Sequence, residues 1–423
     1  MEAVLRRHVM DAWFPRCVDE ELGGFHSTFD YRWRRTGTND RMLEFQARQA
    51  RVAAKLALAY PAEGRWQEYA LHGLRFLRER MWDQQHGGWY WMVAGDGRPL
   101  AGATKHAHSG AYAVQTAALV YQATGERWAM EHAEDGLAWF DRYAPDKEHG
   151  GFHSWLTRRG DVIRQRGEIP AGMPREDPLG HDVGLKDVNV HGDWFEALLD
   201  FTANSDSARA RELLVEAGRI YLERAVTRAG EVHYAFHDDW TPQPGPEWYG
   251  YGFEATHRFL TGARVLPELP EMEERAETVL RHTLRIARRR DGGFRYSGPA
   301  GLPHSVEGED VRANARLWWV QLEGLRGLSL YAVREAEPGI YWRMLRAYWK
   351  FFVANFVDDR HGGIFSRHRD DWRPWVRTWM PRQGWAFQKG RDWKDASHET
   401  GALLASIAAL RGTDTVDAVA GGS

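Results

Sequence analysis

One short turn recurs along this chain and sets its architecture: two consecutive glycines followed by an aromatic or aliphatic residue, usually just after an acidic one. It appears as Asp19-Glu20-Glu21-Leu22-Gly23-Gly24-Phe25, then as Asp83-Gln84-Gln85-His86-Gly87-Gly88-Trp89. It returns as Asp146-Lys147-Glu148-His149-Gly150-Gly151-Phe152, as Asp291-Gly292-Gly293-Phe294 and as Asp358-Asp359-Arg360-His361-Gly362-Gly363-Ile364. A degenerate copy, Gly230-Glu231-Val232-His233-Tyr234, fills the one large gap and makes six. The copies lie roughly 60 to 80 residues apart, longer than the common solenoid repeats.

Helical periodicity falls on both sides of each turn. It predicts helices over 1–14, 65–81, 127–143, 207–226, 270–288 and 336–356 before the turns, with Pro15 stopping the first. After the turns it predicts 40–59, 105–123, 185–203, 250–264, 310–332 and 393–411. Residues just past each glycine pair, such as Trp89-Tyr90-Trp91-Met92-Val93, alternate as short hairpin strands do. Twelve helices in six pairs, the second of each pair the more apolar, predict an all-α fold: an (α/α)6 barrel with short β-hairpins at one end. A two-domain α-solenoid competes, but no Pro/Gly/Ser-rich linker divides the chain. The expected organisation is a single barrel over 1–412 and a flexible tail over 413–423.

In such a barrel all six inner helices start at one end, with the Gly-Gly hairpins. Helix starts offer free N–H groups and a positive dipole end. Polar and aromatic residues cluster at these starts. Arg48, in Glu44-Phe45-Gln46-Ala47-Arg48-Gln49, faces inward if Phe45, Val52 and Leu56 are buried, and a buried guanidinium needs a carboxylate or a ligand oxygen. Lys105-His106-Ala107-His108 precedes the second inner helix, with Tyr112 following; two histidines without a third ligand do not make a metal site. Asn189-Val190-His191, Asp193, Trp194 and Glu196 mark the third. Tyr251, Glu254 and His257 form one stripe on the fourth at intervals of three. Arg316-Leu317-Trp318-Trp319 and Glu323 open the fifth. The sixth begins after Trp393-Lys394-Asp395-Ala396-Ser397-His398, where Asp395 or Ser397 is a candidate N-cap. An imidazole such as His398 exchanges a proton near neutral pH, its ordinary pKa being roughly 6.5.

These residues resemble those of the N-acylglucosamine 2-epimerase superfamily, which includes cellobiose 2-epimerases and mannose-type aldose–ketose isomerases. The resemblance runs in order along essentially the whole chain. Its most specific pieces are Gln46-Ala47-Arg48-Gln49, Asn189-Val190-His191 with Glu196, Trp318-Trp319 with Glu323, and Trp393-Lys394-Asp395 leading to His398. It implies the same barrel and an enzyme that moves a proton on the carbon beside a sugar carbonyl, with no redox cofactor and no metal. It further implies that Arg48 holds the carbonyl-side oxygens, that His191 hydrogen-bonds the sugar, that Glu254 and Glu323 support the site, and that His398 is a catalytic base. Tyr112, Trp318, Trp319 and Trp393 join these as candidate substrate-binding residues. Many of the 21 tryptophans belong to the core, but such a number also suits a cleft that stacks on sugar rings.

One departure stands out. The family pattern at the fourth inner helix is Gly-His-x-x-Glu, whose histidine is the second proton carrier; here the run is Gly250-Tyr251-Gly252-Phe253-Glu254. An imidazole appears instead at His257, where the family commonly has tryptophan. Tyr251 and His257 are therefore both candidate catalytic residues. A phenol, with an ordinary pKa of roughly 10, donates a proton to oxygen but is a poor carbon base. The expected reaction is thus aldose–ketose isomerisation of the mannose/fructose type, with 2-epimerisation as the alternative. Glycoside hydrolysis on the same barrel and a non-catalytic sugar-binding role are more distant readings.

Composition excludes other classes. The net charge is −3, with no basic excess for nucleic acid or a membrane surface. Cys17 is the sole cysteine, so no intramolecular disulfide forms. The N-terminus lacks the apolar core of a signal peptide, and no apolar run reaches about 18 residues, which together imply a soluble cytoplasmic protein. Two loops are expected beside the mouth, Pro170 to Asp187 and Ser366 to Asp392. The latter, with Trp372, Trp375, Trp379 and Trp385 among Arg373, Arg377 and Arg382, reads equally as a lid or as a homodimer contact.

Overall fold

The computed structural model describes residues 1–100, 102–171, 173, 177–290, 292–298, 303–306, 309–312, 315–335, 339–368 and 388–413. Residues 369–387 of the Ser366 to Asp392 loop, read as a lid or a homodimer contact, and the tail 414–423 lie outside the described residues.

Helices with one apolar stripe alternate with helices that are buried nearly all round. The stripe helices are α1 (2–13), α3 (65–81), α5 (Arg127–Tyr143), α7 (208–225), α9 (Met272–Ala287) and α11 (Ile340–Phe356). In α5 the buried positions are Ala129, Met130, His132, Ala133, Gly136, Leu137 and Phe140, the i, i+3, i+4 pattern of a helix with one face in water. The others are α2 (Leu43–Ala59), α4 (Ala107–Thr124), α6 (Val188–Thr202), α8 (Tyr249–Val265), α10 (Trp318–Ala332) and α12 (Ser397–Arg411). Helices with no solvent face must be wrapped by others. Here α2 packs on α4, α4 on α6, α6 on α8, α8 on α10, α10 on α12, and α12 returns to α2. The ring is closed, and the stripe helices form its outer wall: an (α/α)6 barrel. No helix among the described residues is long and apolar enough to cross a membrane.

The inner helices begin two to eight residues later than periodicity predicts for most repeats, because the residues before them are extended. Arg41–Met42 leads into α2 and pairs antiparallel with Met92–Val93, beyond the second Gly-Gly turn. Lys105–His106 pairs likewise with Trp155–Leu156, Lys186–Asp187 with Ala235–Phe236, and Glu247–Trp248 with Ser297–Gly298. Single bridges Leu317–Arg367 and Phe29–Gly390 continue the series and close it on the first repeat. Bridges such as Trp82–Trp89 and Val93–Pro99 form the local hairpins that alternation predicts. The pairing from one repeat to the next is what the sequence pattern did not show.

Among the described residues, a buried ion pair fastens this end at four repeats. In these four the aspartate that opens the Gly-Gly turn accepts backbone N–H groups of its own turn and meets a cation on the segment entering the inner helix. The pairs are Asp19–Arg41, Asp83–Lys105 at 3.3 Å, Asp146–Lys186 at 2.7 Å and Asp358–Lys389 at 2.7 Å. Lys186 Nζ also donates to the Gly150 carbonyl at 2.8 Å. Burial pushes the Lys105 and Lys389 ammonium groups down to about 8 against the pull of Asp83 and Asp358. At Gly151, where φ is +77°, a Cβ would come within 2.5 Å of the Trp240 ring and 2.7 Å of His191 Nε2, so the second glycine serves both backbone and packing.

Candidate active site

The six inner helix starts converge on one cavity. It is lined by Arg48 of α2, His108 and Tyr112 of α4, Asn189 and Asp193 of α6, Tyr251 and Glu254 of α8, Trp318 and Trp319 of α10, and His398 of α12. Leu179, Tyr234, Trp248, Tyr296 and Trp393 complete the wall from the hairpins and loops.

His398 sits in the first turn of α12, where the Asp395 carboxylate accepts the Ser397 N–H at 2.6 Å and fixes the helix start. Its Nδ1 lies 2.7 Å from Glu323 Oε1, and its ring leans on Trp319 at 5.7 Å between centroids. A carboxylate accepting from Nδ1–H leaves Nε2 as the basic nitrogen. Burial works against the Glu323 charge, yet hydrogen bonds with His257 and His398 hold its carboxyl well below the usual range. The pair is thus built as an anchored base.

Arg48 enters the same cavity from α2. Its Nε lies 3.1 Å from Ser397 Oγ and 3.1 Å from Asp395 Oδ2, and the guanidinium stands over the Tyr112 ring at 5.2 Å. The buried guanidinium therefore has its carboxylate, on the residue that starts the His398 helix. First and last inner helices are joined where the two candidate residues meet.

On α8, Tyr251 Oη accepts a hydrogen bond from Asn189 Nδ2 at 3.1 Å, and its ring is flanked by Tyr234, Trp248 and Trp319. Glu254, one turn further, lies 3.3 Å from Arg258 Nη1. Burial, with Glu323 and Asp193 nearby, raises its carboxyl above the usual range against the pull of Arg258. His108 sits between two carboxylates. Burial opposes its charge, but Asp193 at 2.9 Å and Glu44 at 3.5 Å outweigh burial and push it up to about 9.

Three predicted residues lie behind the lining rather than on it. His257 is buried, with Nε2 3.0 Å from Arg326 Nη1 and 3.4 Å from Glu323 Oε2; burial, reinforced by Arg326, pushes its imidazole down to about 4. The stripe Tyr251–Glu254–His257 is real, but it runs down the helix, and its third member has passed below the cavity floor. It is not placed to exchange a proton with a ligand. His191 is likewise not among the cavity-lining residues. Its Nδ1 is 2.7 Å from the Asp187 carbonyl and its Nε2 accepts the Phe152 N–H at 3.0 Å, so both nitrogens fasten the third Gly-Gly turn to α6. Glu323 is buried at 3% exposure and reaches the cavity only through His398.

The cavity-lining residues absent from the sequence expectation are His108, Leu179, Asn189, Asp193, Tyr234, Trp248 and Tyr296. Asn189 and Asp193 were visible as helix-start polar residues one turn apart. Tyr234 belongs to the degenerate Gly230 repeat, and its place at the cavity depends on cross-repeat strand pairing. His106, the other histidine of the Lys105 segment, is 3.2 Å from both Asp177 oxygens. It helps hold the Pro170–Asp187 loop, whose Leu179 reaches the cavity.

A family model described as N-acylglucosamine 2-epimerase (GlcNAc 2-epimerase) matches residues 23–168. A cellobiose 2-epimerase of Bacteroides fragilis is 24% identical over 380 residues, covering 88% of this chain and 91% of its own. The structure of cellobiose 2-epimerase from Spirochaeta thermophila superposes with a TM-score of 0.78 at 23% identity, covering 96% of this chain and 94% of that one. A D-mannose isomerase structure superposes with a TM-score of 0.76 at 18% identity, covering 96% of each chain. Over residues 23–168 the chain matches the N-acylglucosamine 2-epimerase model, and along most of its length it is similar to these sugar epimerases and shares their fold.

Proposed function

We propose that this protein is a sugar isomerase that interconverts an aldose and its ketose, of the mannose/fructose type, by proton transfer through an enediol. One observation carries the choice. Among the described residues lining the cavity, His398 is the one imidazole whose Nδ1 is anchored by a carboxylate while Nε2 is left as the basic nitrogen. His108 also lines the cavity, but its two ring nitrogens face Glu44 and Asp193, which push it up to about 9. His257 and His191 do not reach it.

The chemistry follows from these positions. An α-proton of an open-chain aldose is weakly acidic, so its removal needs a base together with groups that stabilise charge on the oxygens. His398 Nε2 takes the C2 proton. Arg48 and the inner helix starts supply positive potential to the oxygens. Tyr251 gives a proton to the carbonyl oxygen. Return of the proton from His398 to C1 yields the ketose, all from one face, whereas 2-epimerisation needs a carrier on the other face of C2.

A 2-epimerase is the second reading, and the raised Glu254 carboxyl on the cavity wall supports it as a second proton carrier. The sugar-epimerase names of relatives support it too. Hydrolysis fares worse. Of the candidate carboxylates Glu254, Glu323 and Asp395, Glu323 is committed to His398 and Asp395 to Arg48, rather than set across a cavity from Glu254 as a pair flanking a glycosidic bond must be.

The test is the product order from mannose in D2O, followed by NMR. Fructose ahead of glucose is expected; glucose appearing first overturns the isomerase choice. Loss of turnover with retained sugar binding in His398→Asn is expected as well. Binding with no turnover in either protein would point to a sugar-binding role instead.

A further inference from the structure

Resting on the isomerase reading, we propose that Asn189 is a positioning residue that makes Tyr251 a proton shuttle between the two substrate oxygens. Four features of the site carry this. Asn189 and Tyr251 both line the cavity, from the first turns of neighbouring helices. The Asn189 backbone is set by the N-cap, Asp187, whose carboxylate accepts the Val190 N–H at 2.8 Å. The Tyr251 ring is held by its neighbours: it lies near-parallel to Tyr234 at 5.4 Å and to Trp248 at 5.9 Å, both at 15°, and Trp319 is 5.5 Å away at 45°. The Asn189 amide then donates to Oη at 3.1 Å.

An amide N–H directed at a phenol oxygen does two things. It turns the phenol's own proton away from Asn189, and it favours the phenolate that forms when that proton leaves. Asn189 stands to Tyr251 as Glu323 stands to His398, a fixed partner behind a reacting group.

The proton balance closes with these two groups. His398 Nε2 takes the C2 proton while Tyr251 O–H gives its proton to O1; the C1–C2 double bond forms and the C1–O1 π bond opens. The phenolate then takes the proton from O2, the neighbouring oxygen of a cis-enediol. His398 returns its proton to C1, the C2–O2 π bond forms, and both side chains regain their starting states.

The first test needs no turnover. In protein carrying 13C at tyrosine Cζ, the Tyr251 signal is identified by its loss in Tyr251→Phe. Its titration midpoint is expected to rise by about one pH unit in Asn189→Ala, the size of one lost hydrogen bond to the charged form. An unchanged midpoint overturns the proposal. The second test is kinetic. Asn189→Ala and Tyr251→Phe are each expected to lower kcat on mannose about 10- to 100-fold with KM within about threefold, and the double variant to fall no further than Tyr251→Phe. Additive losses, showing that Asn189 contacts the sugar on its own account, overturn it. A wild-type protein that turns over no aldose sinks the isomerase reading, while the titration still decides whether Asn189 governs the phenol.

Discussion

Nδ1 of His398 lies 2.7 Å from Oε1 of Glu323, with the carboxylate buried and the imidazole at the cavity surface. The carboxylate fixes the ring and its tautomer and stabilises the imidazolium that forms when a proton arrives. Glu323→Gln removes that charge with little change of shape. It is expected to lower kcat roughly 100-fold with KM nearly unchanged, since a positioned general base is worth about 10²–10⁴. A kcat within twofold of wild type would show that the pair is structural.

His191 supplies the opposite expectation. Both its ring nitrogens hold backbone atoms, and burial pushes the imidazole down to about 4. His191→Ala would orphan the Phe152 N–H and leave a void under Trp240, so thermal unfolding should move down by several degrees, for a loss of about 2–3 kcal/mol. KM for the sugar should stay within about twofold. A large rise in KM with unchanged melting would restore His191 as a sugar contact.

Two buried imidazoles sit between carboxylates and are pushed up to about 9: His108 between Glu44 and Asp193, and His181 beside Asp177 and Asp187. A folded-state value above the ordinary 6.5 means that the protonated form is bound more tightly in the native protein. The resulting stability is complete below pH 6.5 and is lost as pH rises through 9. Melting temperature is therefore expected to fall between pH 6.5 and pH 9, and the fall should be shallower in His108→Gln, which starts from a lower stability. An equal slope in the two proteins would remove His108 from the account.

The repeated ion pairs at the Gly-Gly turns should matter far more than the exposed ones. Lys186 is fully buried and serves the Asp146 carboxylate together with the Gly150 and Asp238 carbonyls. Lys186→Met leaves those acceptors without their donor and is expected to destabilise by about 3–5 kcal/mol. Arg209→Met, which breaks the half-exposed pair with Asp141, should lie within about 1 kcal/mol of wild type. Similar effects from the two substitutions, read by urea unfolding, would discount the latch.

Much of this was legible because the repeat is strict. The Gly-Gly turns and the contrast between striped helices and more apolar ones already specify six pairs, a closed ring and a common end for Arg48, Tyr251 and His398. Periodicity cannot tell how far a stripe extends before it leaves a cavity, which is why His257 reads as a site residue beside Glu254. It also cannot separate a histidine facing a ligand from one facing backbone, since both are polar residues at a helix start. His191 turns toward Phe152 because that turn belongs to the preceding repeat, and such pairings appear only once the ring is closed. The cross-repeat strands, two residues long, are too short to leave a periodic signal, yet they bring Tyr234 and Trp248 to the cavity.

The sharpest expectation concerns the residue that departs from the family pattern. If Tyr251 limits the reaction to one face of the sugar, an imidazole at that position should open the other. Tyr251→His places a group with an ordinary pKa of roughly 6.5 on the same helix turn, beside the same Asn189 amide and against the same Trp319 ring. It can accept a proton at C2 and return one at neutral pH, which a phenol does poorly. In D2O, mannose should then give glucose carrying deuterium at C2, at a rate comparable with fructose formation, whereas the parent gives fructose first. The readout is a new product rather than a loss, so a folding defect cannot imitate it. A folded Tyr251→His protein that yields fructose at the parent's rate and no glucose would mean that some group other than residue 251 decides the outcome, with Glu254 the first to examine by substitution to glutamine.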